Sequence, residues 1–210
     1  MIKIALCGAG GSGKGTLARE ISKNFGFQLL PSPIQDVGKL LYPDKENYKN
    51  IQMESSTEER NLYQHCIVMP QIINELNAAR HTALGYVSER SVFDYLAYFY
   101  RFGRVNDEQS DKLFDQYEEL VLRAYNQNPY DLIFFLGAKD FEPQDAEAGK
   151  WKERDPQDRE QTSDWLYYYL TKSGNVDKSQ VFHIHGTVEE RTEQATHLIR
   201  YLQDKADIVG

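Results

Sequence analysis

Gly8, Gly10, Gly11, Ser12, Gly13, Lys14, Gly15 and Thr16 form the densest chemical signal in this 210-residue chain. Gly8-Ala9-Gly10-Gly11-Ser12-Gly13-Lys14 has the Gly-x-x-x-x-Gly-Lys spacing. In that spacing the glycines let successive backbone N–H groups turn inward on an anion, and the lysine adds a full positive charge. The flanks supply the context this needs. An apolar run at Ile2–Leu6 reads as a buried strand, and Leu17, Ala18, Ile21 and Phe25 repeat at helical spacing. The N-terminus of that helix adds its partial positive charge to the loop. The expected ligand is a polyphosphate. A glycine-rich turn with no ligand is the alternative, and the strand–loop–helix order weighs against it.

A second stretch, Tyr86-Val87-Ser88-Glu89-Arg90-Ser91-Val92-Phe93-Asp94-Tyr95, places an acid and an arginine directly after a strand candidate. An acid there can hold a magnesium-bound water, and an arginine can take a phosphate oxygen. The plainer reading is a surface ion pair at a strand end; a phosphate loop in the same chain shifts the balance toward function. A third stretch, Phe141 to Glu160, mixes both charge signs with Pro143, Gly149 and Pro156. Its place between a strand and a helix favours a mobile lid over about residues 139–160 rather than an inert surface loop.

Gly13-Lys14-Gly15-Thr16 departs from the general pattern, because Gly15 stands where Ser or Thr would meet a magnesium ion. It resembles the P-loop of nucleoside monophosphate kinases such as adenylate kinase, in which magnesium is held largely through phosphates and waters. Glu89-Arg90-Ser91-Val92-Phe93-Asp94 resembles the Glu-Arg-Ser or Asp-Arg-Ser motif of deoxyribonucleoside kinases and is similar to the Asp-Arg motif of thymidylate kinases. Trp151-Lys152-Glu153-Arg154-Asp155-Pro156-Gln157-Asp158-Arg159 resembles the Arg-Asp-Pro…Arg lid of P-loop kinases and ATPases related to nicotinamide riboside kinase. Gly186-Thr187-Val188-Glu189-Glu190-Arg191 is similar to the end of that same branch, where the loop lies near the adenine.

The resemblance implies a P-loop NTPase fold, three α/β/α layers around a central parallel sheet, and ATP with Mg²⁺ as cofactors. Lys14 and the loop amides would hold the β- and γ-phosphates, with Thr16 on a phosphate oxygen. Glu89, and more weakly Thr16, would serve the metal. Arg90 and Asp94 would face the acceptor, Arg154 and Arg159 would close from the lid, and Arg191 would sit on the nucleotide side. The plainer reading of the two lid arginines is a pair of helix-start residues matched with Glu153, Asp155, Asp158 or Glu160.

One departure bears on the acceptor. Related kinases with hydroxyl acceptors carry an acid just after the second strand, and here that place reads Leu30-Pro31-Ser32-Pro33. A hydroxyl acceptor benefits from a general base, whereas a phosphate is already ionised. Ser32 therefore tilts the reading toward a nucleoside monophosphate, with a deoxynucleotide favoured. Asp36, a turn further on, could supply the base and keeps a nucleoside or nicotinamide riboside open as acceptor.

Further strands are expected at Phe27–Leu30, Ala83–Ser88, Asp131–Leu136 and Gln180–Ile184, separated by helices over about 56–81, 91–103, 107–127, 157–172 and 188–205. Ser56…Glu59 and Thr187…Glu190 have capping-box spacing, and Asp155-Pro156 has a capping acid before an N1 proline. Alternation of this kind predicts a parallel sheet in a single domain spanning 1–210, with ligands at the carboxyl ends of the strands. Phe93, Tyr95, Tyr98, Phe99 and Phe102 could stack a base, but their helical spacing reads first as core. Trp165 and Tyr167–Tyr169 read as helix packing and surface.

A net charge of −8 argues against a sequence-independent nucleic-acid binder. The two cysteines, Cys7 and Cys66, read as reduced packing residues, and the five histidines show no zinc-ligand spacing. No apolar run approaches the ~20 residues of a membrane span. The expected protein is cytoplasmic and free of membrane, takes a small nucleoside or nucleotide acceptor, and is compatible with a homodimer. A regulatory ATPase or switch without a small acceptor is the reading from another class. No Asn-Lys-x-Asp guanine motif supports a GTPase, and the chain is short for a ring-forming remodelling ATPase. A binding-only module with a degenerate site is the third reading.

Overall fold

The computed structural model describes residues 1–43, 55–104, 108–140 and 156–209. Five parallel strands, β1 (Ile2–Cys7), β2 (Gln28–Leu30), β3 (Gly85–Ser88), β4 (Leu132–Phe135) and β5 (Val181–His183), form one sheet in the order β2-β3-β1-β4-β5. Among the described residues seven α-helices connect or flank them: α1 (Lys14–Phe25), α2 (Ile34–Leu41), α3 (Thr57–His81), α4 (Val92–Tyr98), α5 (Glu108–Gln127), α6 (Pro156–Lys172) and α7 (Val188–Val209). Each expected strand and helix is present, within two residues at strand ends and, apart from the helix over 91–103, within four at helix ends. The expected helix over 91–103 changes pitch, with Phe99–Gly103 forming a π-helical turn after α4.

The period-2 alternation of β1 and β4 divides the interior into two layers. Ala5, Cys7, Ile133 and Phe135 face a core built with α3, α4, α5 and α6, while Ile4, Leu6, Leu132 and Phe134 face α1 and α7. Both faces of the central strands are therefore covered, which is why Leu132–Leu136 is apolar throughout. The result is a three-layer α/β/α architecture with β1 at its centre. Its carboxyl end opens directly into the glycine loop.

The sequence cues act where they stand. Ser56 and Glu59 close a reciprocal capping box on α3, and Thr187 and Glu190 exchange the same pair of bonds at α7, at 2.7 and 3.2 Å. Pro156 is the first residue of α6, while Asp155 lies outside the described residues. Phe93, Tyr95 and Phe99 are fully buried core residues, Tyr98 is buried, and Phe102 is half-buried. Trp165 stacks on Tyr100 and Tyr169, and Tyr167 and Tyr168 are exposed. Both cysteines are free thiols. No helix among the described residues is long and apolar enough to cross a membrane.

Candidate active site

The loop between β1 and α1 is built for backbone approach. Gly8 has φ +149°, and a Cβ there would stand 2.3 Å from the Leu136 carbonyl oxygen. Gly11 and Gly13 also take positive φ, and Gly13 caps α1 without any side-chain bond. Leu17 N–H makes a bond to the Gly13 carbonyl at 3.1 Å. The amides of Lys14, Gly15 and Thr16 precede that bond in the first turn, where α-helical N–H groups have no intrahelical acceptor.

Lys14 is buried and donates to the Gly8 carbonyl at 2.6 Å, the Ala9 carbonyl at 2.8 Å and Ser12 Oγ at 3.3 Å. Burial, reinforced by the Arg90 guanidinium, brings its ammonium down to about 8. Two cations thus share the loop. Arg90 Nη1 is buried with no hydrogen-bond acceptor among the described residues, and stands 3.6 Å from Asp94 Oδ1 in an ion pair. The guanidinium also lies over the Tyr98 ring, 5.5 Å from its centroid. An anion placed between Lys14 and Arg90 would relieve their repulsion and fill the open donor.

Glu89 leaves β3 beside the same loop. Its N–H donates to the Leu30 carbonyl at 2.9 Å, and its Oε2 accepts the Ser32 N–H at 3.4 Å. A Cβ added to Gly15 would meet Glu89 Oε1 at 3.0 Å and Arg19 Nη1 at 3.5 Å, so the absence of a side chain at 15 leaves room for that carboxylate. Glu89 thus brings a carboxylate to the end of β2, where the sequence itself has Ser32. Asp36 is exposed in the first turn of α2, a helix not anticipated from the sequence. Thr16 Oγ1 accepts a bond from Arg19 at 3.4 Å.

Asp94 is fully buried and turned toward the loop. Its Oδ1 accepts the Gly8 N–H at 3.1 Å, and its Oδ2 accepts the Ser91 N–H and hydroxyl at 3.0 and 2.8 Å. Tyr98 Oη takes the Gly10 N–H at 3.0 Å. Arg159, from α6, donates through Nε to the Gly10 carbonyl at 3.0 Å, which brings one lid-side arginine onto the loop. Arg191 donates to the Ser12 carbonyl and the Asp140 carbonyl, both at 2.8 Å, and its burial lowers its guanidinium from the ordinary value. Arg154 and most of the expected lid lie outside the described residues.

Lys14, Glu89, Arg90, Arg159 and Arg191 therefore converge on one loop. Residues with no sequence motif stand behind them: Gln71, Glu75 and Tyr130, which brace the Ser88–Val92 turn. Tyr130 Oη accepts the Val92 N–H at 3.0 Å and donates to Glu75 at 2.9 Å. The signal for Gln71 and Glu75 is their phase, because both fall on the buried face of α3. As a donor set for magnesium, the Glu89 carboxylate and Thr16 hydroxyl are hard oxygens of the right kind. Among the described residues no three His, Cys, Asp or Glu side chains are grouped to cage a metal.

No curated protein matches the sequence. Among solved structures, deoxyadenosine kinase from M. mycoides with bound dATP has a TM-score of 0.70 at 15% identity, over 95% of this chain and 100% of that one. NadR protein in complex with NR has a TM-score of 0.62 at 13% identity, over 93% of this chain and 50% of that one. At such identities the likeness is one of fold, a P-loop kinase-like α/β/α sheet. In sequence, the family model described as an AAA domain matches residues 3–191, and the chain belongs to that family.

Proposed function

We propose that the protein moves the γ-phosphoryl group of ATP to a nucleoside or nucleoside monophosphate. The observation that carries this reading is the pairing of buried Lys14 with Arg90, whose Nη1 has no hydrogen-bond acceptor among the described residues, beside a helix N-terminus. Such a pair suits a phosphoryl group whose charge is spread over its outer oxygens, because phosphoryl transfer needs positioning and charge stabilisation more than covalent chemistry. Of the two solved structures on the same fold, one is a deoxyadenosine kinase with bound dATP and the other is NadR protein in complex with NR.

Lys14 and the first-turn amides bind the β- and γ-phosphates, and Arg90 takes an oxygen of the transferred or accepting group. Arg159, already bonded to the Gly10 carbonyl, closes on the loop and keeps water from the γ-phosphate, and Arg154 is proposed to act with it by its motif alone. Magnesium, when bound beside Glu89 and Thr16, neutralises charge on the phosphate oxygens. The acceptor oxygen forms its bond to the γ-phosphorus as the bond to the β–γ bridging oxygen breaks, and ADP leaves with that electron pair. A hydroxyl acceptor releases its proton to solvent.

The test is ADP formation from ATP and magnesium with a panel of nucleosides and nucleoside monophosphates. Stimulation by at least one acceptor supports the kinase. Equal ADP formation with and without acceptors favours the regulatory ATPase instead, and nucleotide binding without turnover favours a degenerate module.

A further inference from the structure

Gln71 lies on α3 behind the Ser88–Arg90 turn and is 1% exposed. Its amide fits in one orientation. Nε2 faces Glu75 Oε1 at 2.6 Å, Ser88 Oγ at 2.6 Å and the Arg90 carbonyl at 2.9 Å. A carbonyl can only accept, so the amide nitrogen belongs on that side. Oε1 consequently faces the Tyr95 hydroxyl, which donates to it at 3.1 Å.

A phenol has one hydrogen, and Tyr95 gives its hydrogen to Gln71. Tyr95 Oη stands 3.5 Å from Ser32 Oγ at the carboxyl end of β2. The hydrogen available between those two oxygens is the serine's. Ser32 is then left with lone pairs to offer a ligand. Beside it, the Glu89 carboxylate already accepts the Ser32 N–H. Both side chains at this strand end therefore present hydrogen-bond acceptors.

We propose that Gln71 and Tyr95 are positioning residues that fix the hydrogen-bond polarity of Ser32, so that the acceptor molecule must place a donor there: a neutral hydroxyl of a nucleoside rather than the phosphate of a monophosphate. This rests on the kinase reading above and reverses the tilt drawn from Ser32 in the sequence. A phosphate oxygen at Ser32 would meet lone pairs and a carboxylate. A hydroxyl there completes the chain that runs from the acceptor through Ser32 and Tyr95 to Gln71. The same amide reaches the Arg90 carbonyl through Ser88 Oγ, which accepts from Nε2 at 2.6 Å and donates to that carbonyl at 2.7 Å, and this couples acceptor recognition to the phosphate-binding arginine.

The experiment measures kcat/KM for the four common deoxynucleosides and their 5′-monophosphates, with wild type and with Tyr95→Phe, which removes one oxygen and leaves the ring in the core. The expected wild-type preference is at least ~10-fold for a nucleoside over its own monophosphate, and Tyr95→Phe raises the nucleoside KM by ~10-fold while the Kd for ATP stays unchanged. Gln71→Leu serves as the second variant, with its thermal unfolding recorded, and is expected to shift the nucleoside KM in the same direction. Transfer to monophosphates alone overturns this inference and leaves the kinase reading standing. Nucleoside transfer with an unchanged KM in Tyr95→Phe overturns the polarity argument. Transfer to none of the eight compounds overturns the inference, and the kinase reading then stands or falls on the wider acceptor panel above.

Discussion

Asp94 Oδ1 accepts the backbone N–H of Gly8 at 3.1 Å, binding the first glycine of the phosphate loop to a helix 86 residues further along the chain. The other carboxylate oxygen holds the Ser91 cap of that helix, so one buried side chain fixes the relative position of Lys14's loop and the Glu89–Arg90 turn. Removing it leaves the Gly8 amide and Arg90 without their anion. Asp94→Ala is expected to destabilise the fold by roughly 3 kcal/mol, and Asp94→Asn by about half as much because one oxygen can still accept. Denaturant unfolding of the two variants checks the order, and equal stability to wild type would contradict it.

Lys14 predicts a proton linked to nucleotide binding. Its ammonium is brought down to about 8 by burial and by Arg90. A bound polyphosphate opposes both effects and raises that value again. At pH 8 to 9, nucleotide binding should therefore take up protons, and affinity should fall as pH rises through about 8. Calorimetry in buffers of different ionisation enthalpy measures the uptake. The same apparent enthalpy in every buffer would refute the linkage.

Glu75 predicts a pH dependence of stability. Burial raises its carboxyl from 4.5 to about 7, against opposing bonds from Gln71 and Tyr130. The folded state therefore holds its proton longer than the unfolded chain does. Stability from this group is complete below about 4.5 and is lost as pH rises toward 7. The loss is on the order of 3 kcal/mol, at about 1.36 kcal/mol per pKa unit. Glu75→Gln should flatten the stability profile across that window, and an unchanged slope in thermal melts from pH 4.5 to 7 would tell against it.

Gly15 predicts a separation of stability from activity. It lies in the first turn of α1, where alanine is better by up to ~1 kcal/mol in helix propensity. The new methyl would meet Glu89 Oε1 at 3.0 Å and push that carboxylate from its place. Gly15→Ala should melt at or above the wild-type temperature while phosphoryl transfer falls by at least ~10-fold. Full activity would show that the position of Glu89 is immaterial.

The sheet and the phosphate loop were legible because their signals are local: short unbroken apolar runs, capping boxes at Ser56 and Thr187, and glycines ahead of Lys14. The helix Ile34–Leu41 was not, since it follows two prolines in a stretch singled out only for its acid. Asp94 and Arg191 carried motif resemblance, yet the structure turns both onto backbone groups of the loop. That role depends on where a distant backbone lies, which spacing along the chain does not encode. Gln71 carried no motif, and its burial on α3 appears only in the fold. Its partners Tyr95 and the Arg90 carbonyl come from a later strand end and helix, so its work is visible only once the fold brings them together.

In the proposed reaction Lys14 and Arg90 hold a phosphoryl group in transit to a small acceptor. Its most direct test follows label from γ-labelled ATP with the best-stimulating acceptor, in wild type and in Arg90→Ala, with ATP binding measured in both. The account predicts one labelled acceptor molecule per ADP in wild type, and loss of transfer by ~10³-fold in Arg90→Ala with nucleotide still bound. Label recovered as free phosphate in wild type, at the same rate with and without acceptor, would contradict it.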